Sequence, residues 1–442
     1  MNEPAGEATA FLQPLRRLFE AARAKYVKFG RVGGIAVLPH PTPAERDALH
    51  SLLGAPARRS EPSLKVDLKV LDQALRRSRF GDGLTQALEA IFDGLPVTRE
   101  EMQATREAGW QALLDSLRPA AQGPAAPWLS SLAEGAGRGY LTVRREFNAG
   151  RPNLAGDLDL VLRAMSSLPS QPRQLAVFAA GLAGNPHALD ADTLAGRLLA
   201  AGLEATAPAG TMAGLEEEDA PSLYRALLFN AVNLSVDDVS STVLVRGLEA
   251  ARTADCADPV VAAARASGAV LAYPLRQVRS WQKVAAPEVW LVENPPVFAA
   301  LCDQTSAGVC LVCTSGRLSA AAVLLLDRLA QAGAKLHYSG DFDLDGISMA
   351  TFAIRRFGAL PWRLAPEDYL LAARGGHPQP LGEKRLHLVD QALLPTLELM
   401  REKNQAAYQE SLLAELASDV QSTPIPLLES PPPQPARCVK LP

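Results

Sequence analysis

Apolar positions recur at helical spacing over residues 15–29, and RVGGIAVLP (31–39) then reads as a strand opened by a glycine turn. Thr42-Pro-Ala-Glu45 is a capping box with proline at the first helical position, so a helix begins there and runs to about Leu53. SLKVDLKV (63–70) alternates as a short strand, and the residues after it return to helical spacing and end in the basic cluster Arg76, Arg77 and Arg79. Thr98 and Glu101 spell a second capping box, which opens a helix to about Leu117. After the linker-like QGPAAP (122–127) the chain is rich in Ala and Leu at helical spacing to about Leu203, and a polar, glycine-bearing connector (204–219) follows. A further helix is predicted over residues 222–233.

The clearest grammar comes late. Strand VWLVE (289–293) precedes helix PPVFAALC, strand GVCLVCT (308–314) precedes helix LSAAAVLLLDRLAQAG, and strand KLHYSG (335–340) precedes helix GISMATFAIRRFG, with PWRL as a candidate fourth strand. Strands that alternate with helices and are almost wholly apolar imply a parallel sheet covered on both faces. One long polar helix is predicted over about 389–416, followed by a proline-rich tail with the composition of a disordered segment.

Composition narrows the class. The 442 residues, 48% apolar and 21% charged, suit a multidomain globular protein, and no apolar run reaches the ~18 residues that a membrane span needs. Acidic residues precede the first apolar stretch, the reverse of a secretory signal, so a cytoplasmic protein with no membrane association is expected. The five cysteines are too scattered for a disulfide framework; Cys310 and Cys313 lie in an apolar strand and read as core. Net charge is −4, yet residues 14–80 carry fourteen Lys or Arg against six acids. Such a local basic field suits phosphate contact or a solvated helix face about equally.

Chemistry concentrates where strands end. In an open parallel sheet, ligands gather beyond the carboxyl ends of the strands. Glu293 stands at that end of the first late strand, and Asp341 and Asp343 stand at that end of the third. Residues two apart in an extended segment point the same way, so Asp341 and Asp343 are placed to share one hard cation, with Asp345 as a further ligand or a helix cap. An EF-hand loop counted from Asp341 needs Glu at its twelfth position, which is Phe352, so that reading fails. A haloacid-dehalogenase-type phosphatase motif in Asp343-Leu-Asp345-Gly346 lacks the chain length for its later motifs. His187 and Asp190, in NPHALD, are weighed as a catalytic pair and read instead as helix capping.

Glu at the end of one strand and DxD at the end of another is the pattern of the Toprim domain, which this region resembles. More closely, WLVENPPVFAAL, LVCTSGRLSAAAVLLLDRL, YSGDFDLDGISMA and PWRLAPEDYLLA resemble the C-terminal domain of the nuclease subunit of Wadjet anti-plasmid defence systems. LHSLLG, KVDLKVLDQALRRSRF, GLAGNPHALD and VDDVSSTVLVRGL are similar to that subunit's N-terminal region. The resemblance implies a homodimer related to the A subunit of topoisomerase VI, which cleaves closed circular double-stranded plasmid DNA when activated by a condensin-like SMC ATPase complex. It carries Glu293, Asp341 and Asp343 over as catalytic and metal-binding residues, and Asp345 as a metal ligand in which relatives vary. The ion it implies is Mg²⁺, with Mn²⁺ as a substitute. The chain departs from the topoisomerase pattern in having no tyrosine within a short arginine- and tyrosine-bearing winged-helix motif, which favours hydrolysis over a covalent tyrosyl intermediate. Tyr224 and Tyr273 are the tyrosines left to consider.

The resulting expectation is an α/β multidomain chain. Residues 1–125 form a basic DNA-contact region, mainly helical and winged-helix-like, with Arg76, Arg77 and Arg79 on DNA. Residues 126–285 form a helical middle with a second winged-helix-like element. Residues 286–385 form the Toprim domain, with a parallel sheet and helices on both faces, and 386–442 form a C-terminal helix and tail.

Overall fold

The computed structural model describes residues 10, 12–54, 61–208, 211–212, 220–254, 256–374 and 379–422. The chain divides into two compact units, Met1–Ser116 with Arg145–Arg151, and Leu117–Arg144 with Pro152–Pro442. The proline-rich tail lies outside the described residues.

In the first unit the predicted elements appear in order. The helix Arg16–Phe29 stops at Gly30, whose φ of 67° closes the last turn. Strand Ile35–Pro39 pairs antiparallel with Ser63–Asp67. The chain between them contains the helix Pro43–Leu53, so the pair is not a hairpin. Both capping boxes form: Glu45 and Thr42 exchange hydrogen bonds, as do Glu101 and Thr98. Asp67 caps the helix Leu68–Arg77 through the amide of Lys69. Leu15, Leu18, Phe19, Leu38, Leu71 and Leu88 belong to one apolar core.

The second unit begins with packed helices, among them Leu154–Ser166 against Leu194–Thr206. Its centre is a six-stranded sheet. In chain order the strands are β1 (Thr242–Arg246), β2 (Leu271–Pro274), β3 (Glu288–Val292), β4 (Cys310–Cys313), β5 (Lys335–Ser339) and β6 (Leu360–Pro361). Their order across the sheet is β6-β5-β3-β4-β1-β2. β4, β3, β5 and β6 are parallel, as predicted, but β1 runs antiparallel to β4 and β2 antiparallel to β1. The fully parallel sheet expected from residues 286–385 is therefore corrected to a mixed one. Two short strands from upstream extend it, and their weak alternation gave no sign of the partner they would find.

Three helices connect the parallel strands: α1 (Pro295–Gln304), α2 (Ala320–Gln331) and α3 (Leu344–Phe357). The step from β3 to β4 goes one way across the sheet, whereas the steps from β4 to β5 and from β5 to β6 go the other. Right-handed crossovers then put α1 on one face and α2 with α3 on the opposite face. The switch in direction falls between β3 and β5.

A second correction concerns the predicted helix at 389–416. It is two helices, Leu394–Lys403 and Leu413–Ser422, with Asn404 at φ 46° ending the first. The break lets Ala407 exchange backbone hydrogen bonds with Phe342 and lets Ala406 donate to the Gln379 carbonyl. Asparagine tolerates this left-handed conformation, and no apolar period marks the boundary.

Asp258 ties together the segment that leads into β3. It is fully buried and caps the helix Pro259–Ser267 through the amides of Val260 and Val261. It also accepts from Arg252, Gln277 and the Trp281 indole. Burial pushes its carboxyl upward, but the bonds from Arg252, Trp281 and Val261 outweigh this and hold it below the usual aspartate range. Asp258→Ala strands several buried donors and should cost roughly 3 kcal/mol in denaturant unfolding. A loss below about 1 kcal/mol would contradict this role, being what a single ordinary hydrogen bond is worth.

Candidate active site

The switch between β3 and β5 opens a crevice beyond the carboxyl ends of the two strands. Glu293 is the first residue after β3, and Asp341 lies two residues beyond β5. The glycine between strand and aspartate has a structural purpose: a Cβ on Gly340 would lie 2.7 Å from Glu293 Oε2 and 3.2 Å from the Tyr338 hydroxyl. Glu293 is 7% exposed, and its Oε2 accepts a 3.3 Å hydrogen bond from the Asp341 amide.

Asp341 and Asp343 are half-buried and flank Phe342, which points inward and is fully buried. This is the alternation the sequence implied. Asp341 Oδ1 accepts from Asn294 Nδ2 at 2.9 Å and from the Gln409 amide at 2.8 Å. Asp343 is the N-cap of α3, with Oδ1 on the Gly346 amide at 2.7 Å. Gly346 cannot carry a side chain here, since its Cβ would come within 2.1 Å of the Asp341 carbonyl. Asp345 stands apart in its environment: its Oδ1 meets Lys384 Nζ at 2.6 Å and Arg317 at 3.4 Å.

The electrostatics are those of crowded like charges. Burial, then the carboxylate of Asp341, and further off those of Asp343 and Asp345, push Glu293 up to about 8, against the pull of the Asp341 amide. Burial also raises Asp341 despite its bonds from Gln409 and Asn294. The Tyr338 phenol, the Ser339 hydroxyl and the Gln409 side-chain amide are buried close by and carry polar atoms without a hydrogen-bond partner. Among the described residues, no three His, Cys, Asp or Glu side chains are grouped to enclose a metal ion. That does not exclude Mg²⁺, which is held by one or two carboxylates plus waters and substrate phosphates rather than by a protein cage. The oxygen-only donors and the charge repulsion around Glu293 and Asp341 fit such an ion.

The other candidates fall elsewhere. His187 and Asp190 do pair, at 2.8 Å, on an exposed turn, while Thr193 caps the next helix; the capping expected of Asp190 is corrected. Arg76, Arg77 and Arg79 are exposed in the first unit, with Arg76 bound to Asp72, which also accepts from the Leu84 amide. Tyr224 is buried and donates to Glu204, and Tyr273 is buried against Trp281 with its phenol pushed up to about 12 by burial. Sequence reasoning missed Asn294, Gln409, Arg317 and Lys384. Asn294 had a signal, as the polar residue between Glu293 and a Pro-Pro helix start; Gln409 had none, because it was read as lying within a helix. Tyr408, the neighbour of Gln409, is exposed and was also passed over.

Two family models match the chain. Residues 32–250 match the one described as protein of unknown function N-terminus (DUF3323), and residues 271–420 match the one described as protein of unknown function C-terminus (DUF2399). No curated protein matches the chain. β1 lies in the first matched region and β2 to β6 in the second, so one sheet joins the two.

The crowding has a pH signature. Glu293 binds a proton far more tightly in the folded chain, at about 8, than at its ordinary value of 4.5. Protonation therefore stabilises the fold fully below about pH 4.5, and that contribution is lost as pH rises through 8. In chelator, melting temperature should fall over this window, and Glu293→Gln should flatten the fall. A wild-type profile no steeper than that of Glu293→Gln would refute the buried, repelled carboxylate.

Proposed function

We propose that this chain, which joins both family regions, is a metal-dependent DNA endonuclease of the Toprim type, the nuclease subunit of a Wadjet-like anti-plasmid system. The observation that carries the reading is the convergence of Glu293 and Asp341 at the switch point of the sheet, with Asp343 on the same loop. Carboxylates crowded at a ligand-binding crevice are a costly arrangement unless a cation joins them. The resemblance in the motifs around these residues supplies the substrate class: closed circular double-stranded DNA, met by a cytoplasmic homodimer working with a condensin-like SMC complex.

In this reading Glu293 and Asp341 would hold Mg²⁺, with Asp343 on the same loop as a further carboxylate for its waters or the substrate; when bound, the ion stabilises charge on the scissile phosphate and lowers the pKa of water. Asn294 and the Gln409 amide position Asp341, and the Gly346 amide positions Asp343. A carboxyl held near 8 has a proton to exchange at neutral pH, so Glu293 is also suited to carry one to or from the reacting oxygens. The burial of Tyr224, Tyr273 and Tyr338 favours water over a phenol as nucleophile. The tyrosine that a covalent route would have to recruit near this site is Tyr408.

The test is plasmid cleavage by the protein with its SMC partner complex, ATP and Mg²⁺. Glu293→Ala or Asp343→Ala should reduce cleavage at least 100-fold while melting stays cooperative, and Tyr408→Phe should leave it intact without protein bound to DNA ends. Cleavage unchanged in both carboxylate variants would end the nuclease assignment, and a covalent adduct lost in Tyr408→Phe would move the protein to the topoisomerase-like class.

DNA contact by the basic first unit makes a separate expectation. Neutralising Arg76, Arg77 and Arg79 should weaken binding to all duplex sequences alike and reduce the salt slope by roughly one unit per lost phosphate contact. An unchanged slope would leave this cluster as a solvated helix end.

A further inference from the structure

A cleft of about 760 Å³ opens on the second unit beside the carboxylates, with Asp345 in its wall. Its volume lies within the roughly 300–1,000 Å³ typical of small-molecule sites. The wall carries Arg317 and Lys384, which both face Asp345, so two cations meet one carboxylate. Arg225 also lines it, its guanidinium fixed by the carbonyls of Gly196 and Leu189. Ser240, Ser241 and Ser319 also line it, Ser241 and Ser319 accepting from the amides of Ala321 and Ala322 at the start of α2 and Ser319 donating to the Thr242 carbonyl. The floor is apolar, built from Leu223, Leu318, Met349 and Phe352.

These parts ask for an occupant with an anionic group at one end and a flat apolar body at the other. Arginine and lysine are the side chains that most often take a phosphate. An apolar floor with a few polar groups around it suits a base that has left its stack. Asp190 and Asp237 in the same wall would repel a second strand of phosphates, and they offer acceptors for base amino or sugar hydroxyl groups.

We infer that this cleft binds one nucleoside monophosphate unit, with its phosphate between Arg317 and Lys384 and its base on Leu318, Met349 and Phe352. A free nucleotide and an unstacked nucleotide of single-stranded DNA share this chemistry. Asp345 follows Asp343 by two residues, so a strand seated here carries its neighbouring phosphate towards Asp341 and Asp343. This consequence, though not the binding itself, rests on the nuclease reading. It makes cutting depend on DNA that has been distorted enough to release a base.

The test is equilibrium binding of the full chain, without divalent metal, to dAMP and to a fluorescent five-nucleotide oligo(dA), followed by calorimetry and anisotropy. Binding of either probe should weaken at least tenfold in Arg317→Ala/Lys384→Ala, and should be lost in Ser348→Trp, which fills the cleft from α3. Because neither metal nor cleavage enters the measurement, its outcome separates this site from the cleavage chemistry. Binding of the oligonucleotide alone would identify the ligand as a DNA strand, and binding of dAMP alone would identify it as a free nucleotide. The inference is overturned if neither probe binds, or if the Arg317/Lys384 variant binds both as tightly as wild type while melting normally.

Discussion

The second unit is organised around a buried negative charge that has nowhere favourable to go. Glu293 leaves the central strand of the sheet directly into the crevice where the connections part, and Asp341 arrives from the neighbouring strand. Two ionised carboxylates in so little water repel each other strongly, because the low-dielectric surroundings screen them poorly. The chain offsets part of this with donors from Asn294 and the Gln409 amide to Asp341 and from the Asp341 amide to Glu293, and part by keeping a proton on Glu293. In the proposed reading, the repulsion that remains is what a bound cation would relieve.

Much of the surrounding architecture follows from holding that arrangement. Gly340 and Gly346 are small because the loop lies against Glu293 and against its own backbone. The break at Asn404 matters for the same reason. It brings residues 406–409 across the front of the loop, where they bond Phe342 and Asp341. A continuous helix there would withdraw the Gln409 amide and leave Asp341 held by Asn294 alone.

The legible part of this structure was the part that local rules control. Capping boxes at Thr42 and Thr98, the apolar strands before α1, α2 and α3, and the alternation of Asp341, Phe342 and Asp343 each depend on residues a few positions apart. Glu293 and the aspartates could be placed together because strand ends in a parallel sheet share one edge. The rest depends on contacts distant in sequence. β1 and β2 are four or five residues long and join the sheet antiparallel, which no period in the chain reveals. The pairing of Asp345 with Lys384 spans 39 residues, so the cation beside this carboxylate could not be read from the chain. Gln409 reaches Asp341 across 68 residues, through a segment whose polar pattern read as one helix.

The central claim is that the crevice between β3 and β5 holds a divalent cation through Glu293 and Asp341. Electron paramagnetic resonance of Mn²⁺ titrated into the protein with short duplex DNA tests it most directly. The account predicts depletion of the free Mn²⁺ signal by a site that Mg²⁺ competes for and that Glu293→Gln and Asp341→Asn each remove. Mn²⁺ binding that is absent, or that survives undiminished in both variants, would contradict it.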